Sequence, residues 1–282
     1  MANKTNDHTQ NPIIQLTSTE ITISSMLEAL DPTNFKTNSA CEIIHIPSHI
    51  TSIDPDVFDP YGYLHSIIVD PENQHFTSVN GILFSKDKNT LVRCPRMHAN
   101  HECVIPSSVT KIERHAFQGC GKLVRISVES NNTQFVSIDG ILFTKDMRIL
   151  ICHPSCHHNS KYDIPSSVTS ISSSAFFDCR KLTSITIPQG VVSIGNHAFD
   201  GCSGLASITI PQGVISIGNH AFTFCTNLAS ITIPQGVISI RNSVFEYCSN
   251  LTSITIPHGV TSIGHLAFRF CRSLASITIP ST

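Results

Sequence analysis

Leu182-Thr183-Ser184-Ile185-Thr186-Ile187-Pro188 opens a phrase that returns every 23 residues, at Leu182, Leu205, Leu228, Leu251 and Leu274. Each copy continues with Gly-Val-x-Ser-Ile and then Phe and Cys, except the last, of which only the opening is present. A fixed period of this length marks stacked repeats and outranks any local reading of helix or strand. Within the unit, Ile185 and Ile187 alternate with Ser184 and Thr186, the period expected of a strand with one buried face. Pro188 has no N–H for the next ladder bond and ends the strand, and Gly190 supplies a turn. Val191 and Ile194 predict a second short extended stretch facing inward. Ala198, Phe199 and Cys202 are spaced as one helical turn. A single coil cannot cover its own apolar edge. Stacked coils bury a continuous Leu/Ile/Val/Phe column, with strands ~4.8 Å apart in a parallel sheet.

Upstream the unit diverges but keeps its register. Cys41 to Tyr63 carries Ile44, Ile46, Pro47, Ile50, Ile53 and Phe58 at the expected offsets. Asn100 to Lys122 and Asn159 to Lys181 repeat the pattern, with Ala116-Phe117-x-x-Cys120 and Ala175-Phe176-x-x-Cys179. Between them lie two long units, 64–99 and 123–158, of 36 residues each. They share Phe76-Thr77-Ser78-Val79-Asn80-Gly81-Ile82-Leu83-Phe84 and Phe135-Val136-Ser137-Ile138-Asp139-Gly140-Ile141-Leu142-Phe143. Each goes on through Lys86-Asp87 or Lys145-Asp146 to Leu91-Val92 or Leu150-Ile151, which predicts a β-hairpin grafted onto the coil about that polar turn. The coils of 182–282 are near-identical, so most chemical variety, and the expected place of a specific patch, lies in 64–181.

The phrase Leu-x-x-Ile-x-Ile-Pro-x-x-Val-x-x-Ile-Gly-x-x-Ala-Phe-x-x-Cys closely resembles the BspA-like class of leucine-rich repeats. The long unit, with its Ile/Val-Asp/Asn-Gly-Ile-Leu-Phe-x-Lys-Asp run, is a further mark of that class. The resemblance covers 41–282. It implies a leucine-rich-repeat solenoid, a right-handed stack of about ten coils of short parallel β-strands with brief helical turns, a β-rich α/β fold. It also implies a protein-interaction scaffold, adhesin-like and binding host or matrix proteins, with no catalytic residue and no cofactor.

Residues 1–40 are expected to hold a polar, disordered start (1–12) and a candidate N-terminal cap. Ile21-Thr22-Ile23 reads as a strand, and Ser25-Met26-Leu27-Glu28 as a capping box opening a short helix. No apolar run follows Met1 as a secretory signal requires, and none approaches the ~20 residues of a membrane span. That pattern favours the cytoplasm, whereas the family resemblance favours a cell surface. Charged residues make up 13% of the chain and net charge is −2, which excludes a basic footprint for nucleic acid. No amphipathic cap follows Pro280, which predicts end-to-end self-association and, as a second reading, a self-assembling structural array. Most of the 11 cysteines share one repeat position, where parallel Cβ vectors disfavour disulfides and free buried thiols are expected.

Three sets of residues are candidates for function. The first is the exposed side of the strand ladder, where Ser184, Thr186, Ser207, Thr209, Ser230, Thr232, Ser253 and Thr255, with Ser276 and Thr278 beyond, form two hydroxyl files. Solenoids bind through such extended faces, although hydroxyls alone lack the Trp, Tyr and Arg of binding hot spots. The second is the pair of loops after the hairpins. Cys94, His98 and His101 in one, and Cys152, Cys156 and His157 in the other, are ligand types for tetrahedral zinc, at spacings that match no standard zinc pattern. The third is His115, His197 and His220 before the Ala-Phe pair, read as a variable exposed position with His115 three coils away.

Overall fold

The computed structural model describes residues 14–16, 19–23, 27–33 and 40–277. The expected disorder of 1–12, the start of the capping box, Thr278 and the region around Pro280 lie outside the described residues. The molecule is a β-solenoid in which successive coils are joined by three ladders. In the first, the Leu-x-Ser-Ile-Thr strands pair in parallel at a 23-residue offset: Lys161–Asp163 with Ser184–Thr186, and Ser230–Thr232 with Ser253–Thr255. Isolated bridges Thr186–Thr209 and Ser207–Ser230 carry this ladder across the coil between them. In the second, the Ser-Ile pairs Ser170–Ile171, Ser193–Ile194 and Ser216–Ile217 line up in parallel.

The third ladder corrects an expectation. Ala198, Phe199 and Cys202 do not form a helical turn. His197 and Gly201 are left-handed, at φ 54° and 77°, which breaks helical progression. The amides of His197, Phe199 and Gly201 instead reach the carbonyls of Asn219, Ala221 and Thr223 on the next coil, at 2.8–2.9 Å. Single turns remain within the coil, where the Asp200 and Cys202 amides reach the His197 and Phe199 carbonyls at 3.2 and 3.1 Å, but the alternate amides bond to the next coil and no helix continues. Among the described residues the only helix is the 3₁₀ turn Pro55–Phe58, capped by the Asp54 side chain on the Asp56 amide.

Inside the three ladders, each repeat position makes a column. Phe176, Phe199, Phe222, Phe245 and Phe268 stack at 5.0–5.7 Å between ring centroids. Beside them run Leu182, Leu205, Leu228 and Leu251, all buried. The cysteines are free, and all but Cys156 are buried. In the near-identical coils each thiol donates to a Phe carbonyl 26 residues upstream, as Cys225 does to Phe199 at 3.2 Å. Desolvation raises the thiols of Cys225, Cys248 and Cys271, pushing the last up to about 11. They act as small core residues rather than reactive thiols.

The repeat also runs upstream of Cys41. Glu20–Ile23 pairs in parallel with Ile43–Ile46, and Ala29–Leu30 with Ser52–Ile53, both at the 23-residue offset. The strand at Ile21–Ile23 is as expected, but the helix after Glu28 is not: a second strand follows, because Leu30 fills the core column that Ile53 occupies one coil on. Ile14–Leu16 pairs antiparallel on the outer edge of Glu20–Ile23.

Each long coil holds a three-stranded meander where a single hairpin was expected. Phe76–Val79, Ile82–Ser85 and Thr90–Arg93 are successive antiparallel strands, and Phe135–Ile138, Ile141–Thr144 and Ile149–Cys152 repeat them. The Lys86-Asp87 turn joins the last two. The first two are joined at Asn80-Gly81 and Asp139-Gly140, both residues of each pair having positive φ, the type I′ hairpin geometry. A buried Asn anchors each insertion. Asn132 donates to the carbonyls of Pro106 and Val109, at 2.8 and 2.9 Å, and accepts from the amides of Gln134 and Phe135. Asn73 does the same one superunit earlier.

Candidate interaction face

Strand alternation sends Ile185 and Ile187 into the core, so Ser184 and Thr186 must point out, and the parallel register aligns each with its counterpart on the next coil. Ser184, Thr186, Ser207, Thr209, Ser230, Thr232, Ser253 and Thr255 are all exposed, in two files on one face. Backbone groups along the paired strands bond within the ladder, so the face offers side chains at strand pitch. The same files change character upstream. Ser184 follows Lys161 and Thr186 follows Asp163. Glu102 pairs across to Arg125, with Nε 3.3 Å from the carboxylate, and Val104 pairs to Ser127. Ile68 and Val104 are exposed apolar members of the second file.

The meanders notch this face. The Gly81 carbonyl accepts from the Ile67 amide and the Gly140 carbonyl from the Ile126 amide, at 3.0 and 2.8 Å, so each hairpin tip closes onto a strand of the first ladder. That contact demands glycine at the tip: a Cβ at Gly140 would lie 2.8 Å from the Arg125 Cβ. Beside the second tip opens a cleft of about 700 Å³, lined by residues that include Arg125, Ser127, Asp139, His157 and His158. A smaller one of about 290 Å³ lies beside the first, between Asn80, His98 and Glu102.

The loop residues considered as zinc ligands are placed at other tasks. His98 Nε2 lies 2.6 Å from the Asn80 carbonyl, and His157 Nε2 lies 2.9 Å from that of Asp139. Both imidazoles therefore latch a hairpin tip. His101 Nδ1 sits against the Lys122 carbonyl, Cys156 donates to Gly121, and Cys94 and Cys152 are buried in the core. Among the described residues, the group with three ligand-type atoms within 4.8 Å of one another is Asp56, Asp59 and His115, not these six. Its carboxylates already face cations: Arg114 is 2.7 Å from Asp56, and Arg93, fully buried, is 3.0 Å from Asp59.

The histidine file is half-buried rather than exposed. His115, His197 and His220 all have positive φ. His197 stacks on His220 at 4.6 Å, and the His115 and His197 rings are 6.0 Å apart across Ser174, despite their distance in the chain. His197 Nδ1 is 2.9 Å from Asp200, whose carboxyl is pushed up by burial. On the interior, His153 is buried against Phe176 and Tyr162, and desolvation, aided by His157, pushes it down to about 4. Its Nε2 has no partner, so it stays neutral.

A further file on the turn edge escaped the sequence reading, although its 23-residue spacing is plain in the chain. Phe224, Tyr247 and Phe270 stack at 4.5 and 4.6 Å, outside the core. Arg269 lies over the Phe270 ring at 4.5 Å. A second exposed apolar file runs through Val192, Ile215 and Ile238. Among the described residues no helix is long and apolar enough to cross a membrane.

Comparison with solved structures finds a leucine-rich repeat protein from Eubacterium ventriosum, 26% identical with TM-score 0.63, over 93% of this chain and 79% of that one. The pneumococcal vaccine antigen PcpA is similar in fold, at 18% identity and TM-score 0.50, over 87% of this chain and 74% of that one. Comparison with curated proteins gives no match. The model of the BspA type leucine rich repeat region matches in 6 copies, over residues 14–91, 97–145 and 169–282. With the repeat phrase, the long units and the stacked coils in agreement, the chain belongs to the BspA-type leucine-rich repeat family.

Proposed function

We propose that this chain is a non-enzymatic protein-interaction scaffold, adhesin-like in kind, that binds a protein partner across the exposed face of its first strand ladder. The observation that carries the reading is the register of that face. Its two files stay aligned within each run of paired strands, charged and apolar at Glu102, Arg125 and Val104, then from Lys161 and Asp163 into the hydroxyls from Ser184 onward, with the hairpin tip at Gly140 set between the two runs. A surface with one side-chain pitch and side chains of mixed chemistry suits an extended ligand held by many weak contacts, with the charged and apolar rungs and the clefts at the hairpin tips giving selectivity. The family matched is a repeat family, and no enzyme family is indicated.

The test is retention of the full chain on immobilised matrix proteins, compared with a Thr186→Glu, Thr209→Glu, Thr232→Glu variant. These substitutions leave the core columns untouched. Retention by the parent and loss by the variant is expected. A parent chain that no matrix protein retains removes the adhesin-like reading. Light scattering over a concentration series separates the self-assembling array: growth of the scattering mass with concentration would favour it, and a constant monomer mass would exclude it.

A further inference from the structure

The aromatic stack on the turn edge ends abruptly, and a cavity opens at that point. Asp178, Gly201, Phe224, Tyr247 and Phe270 occupy one repeat position on five successive coils, all left-handed, with φ between 56° and 77°. Glycine adopts that region freely, whereas a side chain there costs ~1–2 kcal/mol. Three coils in succession hold rings there regardless, and the rings are mutually stacked. Tyr247 covers one face of Phe224. The coil on the other side supplies only Gly201, so the stack stops. A surface cavity of about 650 Å³ begins there, lined among others by Phe224, Gly201, Phe177, Arg180 and Arg96. For scale, ~150 Å³ of apolar space holds a benzene ring. Asp178 is already paired with Arg180 at 2.7 Å. Arg96 has a buried Nε with no hydrogen-bond partner.

We propose that this cavity receives an aromatic side chain of a bound polypeptide, stacked on Phe224 where Gly201 leaves the file empty, with a carboxylate of the same segment on Arg96. The proposal rests on the protein-binding reading but places this contact on the turn edge rather than on the strand face. Parallel offset rings attract at the spacing already present in the file. The ring platform is held rigid by two further rings and by Arg269, so little order is lost on binding. Two carboxylates also line the cavity, but Asp178 is paired with Arg180 and Asp200 with His197, so the Arg96 guanidinium is the charge left to attract a carboxylate of the ligand. Arginine, a residue type enriched at binding hot spots, stands here with an aromatic ring, and neither occurs in the hydroxyl files.

The probe is acetyl-(para-fluoro-Phe)-Glu-amide, titrated against the full chain by fluorine NMR, with Leu replacing the aromatic residue or Lys replacing Glu in control peptides. Saturable binding by the first peptide and none by the controls is expected. Phe224→Leu and Arg96→Gln should each weaken it about 3–10-fold, and Gln235→Ala, at an exposed turn away from the cavity, should not. Thermal melts of each variant show that the loss is not unfolding. The proposal is overturned if the peptide fails to saturate below ~10 mM, or binds parent and Phe224→Leu alike. Matrix-protein retention, measured in parallel, keeps the two readings apart. A chain that matrix proteins retain but the peptide does not bind keeps its scaffold role and loses this site. Peptide binding without matrix retention upholds the cavity and removes the strand-face reading.

Discussion

At the scale of single residues, the polar groups buried in this solenoid decide more than its exposed ones. Asn132 satisfies two carbonyls and two amides that the long coil would otherwise bury unpaired. Asn132→Ala should therefore lower unfolding free energy by about 2–3 kcal/mol in urea melts, whereas its neighbour Asn131→Ala should change little. His153 makes stability pH-dependent. The unfolded chain takes up a proton near the ordinary 6.5, while the folded chain holds the imidazole neutral down to about 4. Stability then falls as pH drops through that window, by roughly 3 kcal/mol from this group, and levels off below it. His153→Phe should flatten that part of the stability–pH curve. The two aromatic files differ in kind. Phe222→Ala, in the buried column, should cost about 3–5 kcal/mol. Phe224→Gly should change stability by less than about 1 kcal/mol, since relief of a left-handed side chain offsets the lost stacking. Paired melts of the two variants decide this.

At the scale of elements, the inserted meanders are what turn a regular stack into a notched surface. Their tips are tied down by a glycine carbonyl on a strand amide and by a histidine latch. Gly140→Ala combines a positive φ with a Cβ pressed against Arg125, so it should loosen the tip. Faster hydrogen exchange at the Ile126 amide, with the Ile217 amide unchanged, is the expected signature. Both ends of this device were legible in part. Lys86-Asp87 announced one turn through its polarity between apolar runs. Asn80-Gly81 carried the stronger hairpin signal but sits inside a run that is otherwise apolar, and the run masked it. The turns at Ala198-Phe199 were misread for a physical reason: spacing of i, i+1 and i+4 describes which side chains face inward, and a ladder between coils satisfies it as well as a helix does. His98 and His157 drew attention as metal ligands because imidazole serves both metals and carbonyls, and only the fold shows which partner is near.

At the scale of the whole molecule, periodicity was almost fully legible, since identical Leu, Ile, Phe and Cys offsets force identical columns. Contacts between far parts of the chain were not. His115 meets Asp56 because an intervening long coil brings residues 59 apart onto neighbouring turns, a consequence of geometry rather than of pattern. The one-dimensional stack makes a strong prediction about deletion. Removing residues 205–227, one whole unit, should leave a cooperative β-rich fold with a modestly smaller unfolding free energy. Removing 205–224 instead should abolish cooperative melting, because every downstream column loses register with its neighbour. Circular dichroism melts of both chains check it. The central claim, that the exposed strand face binds a protein, is tested most directly by hydrogen-exchange footprinting of the full chain with a retained matrix protein. Protection should concentrate at strands 125–128, 161–163, 184–186 and 230–232. Protection confined to the Ser-Ile ladder at 193–194 and 216–217, with those strands unchanged, would contradict it.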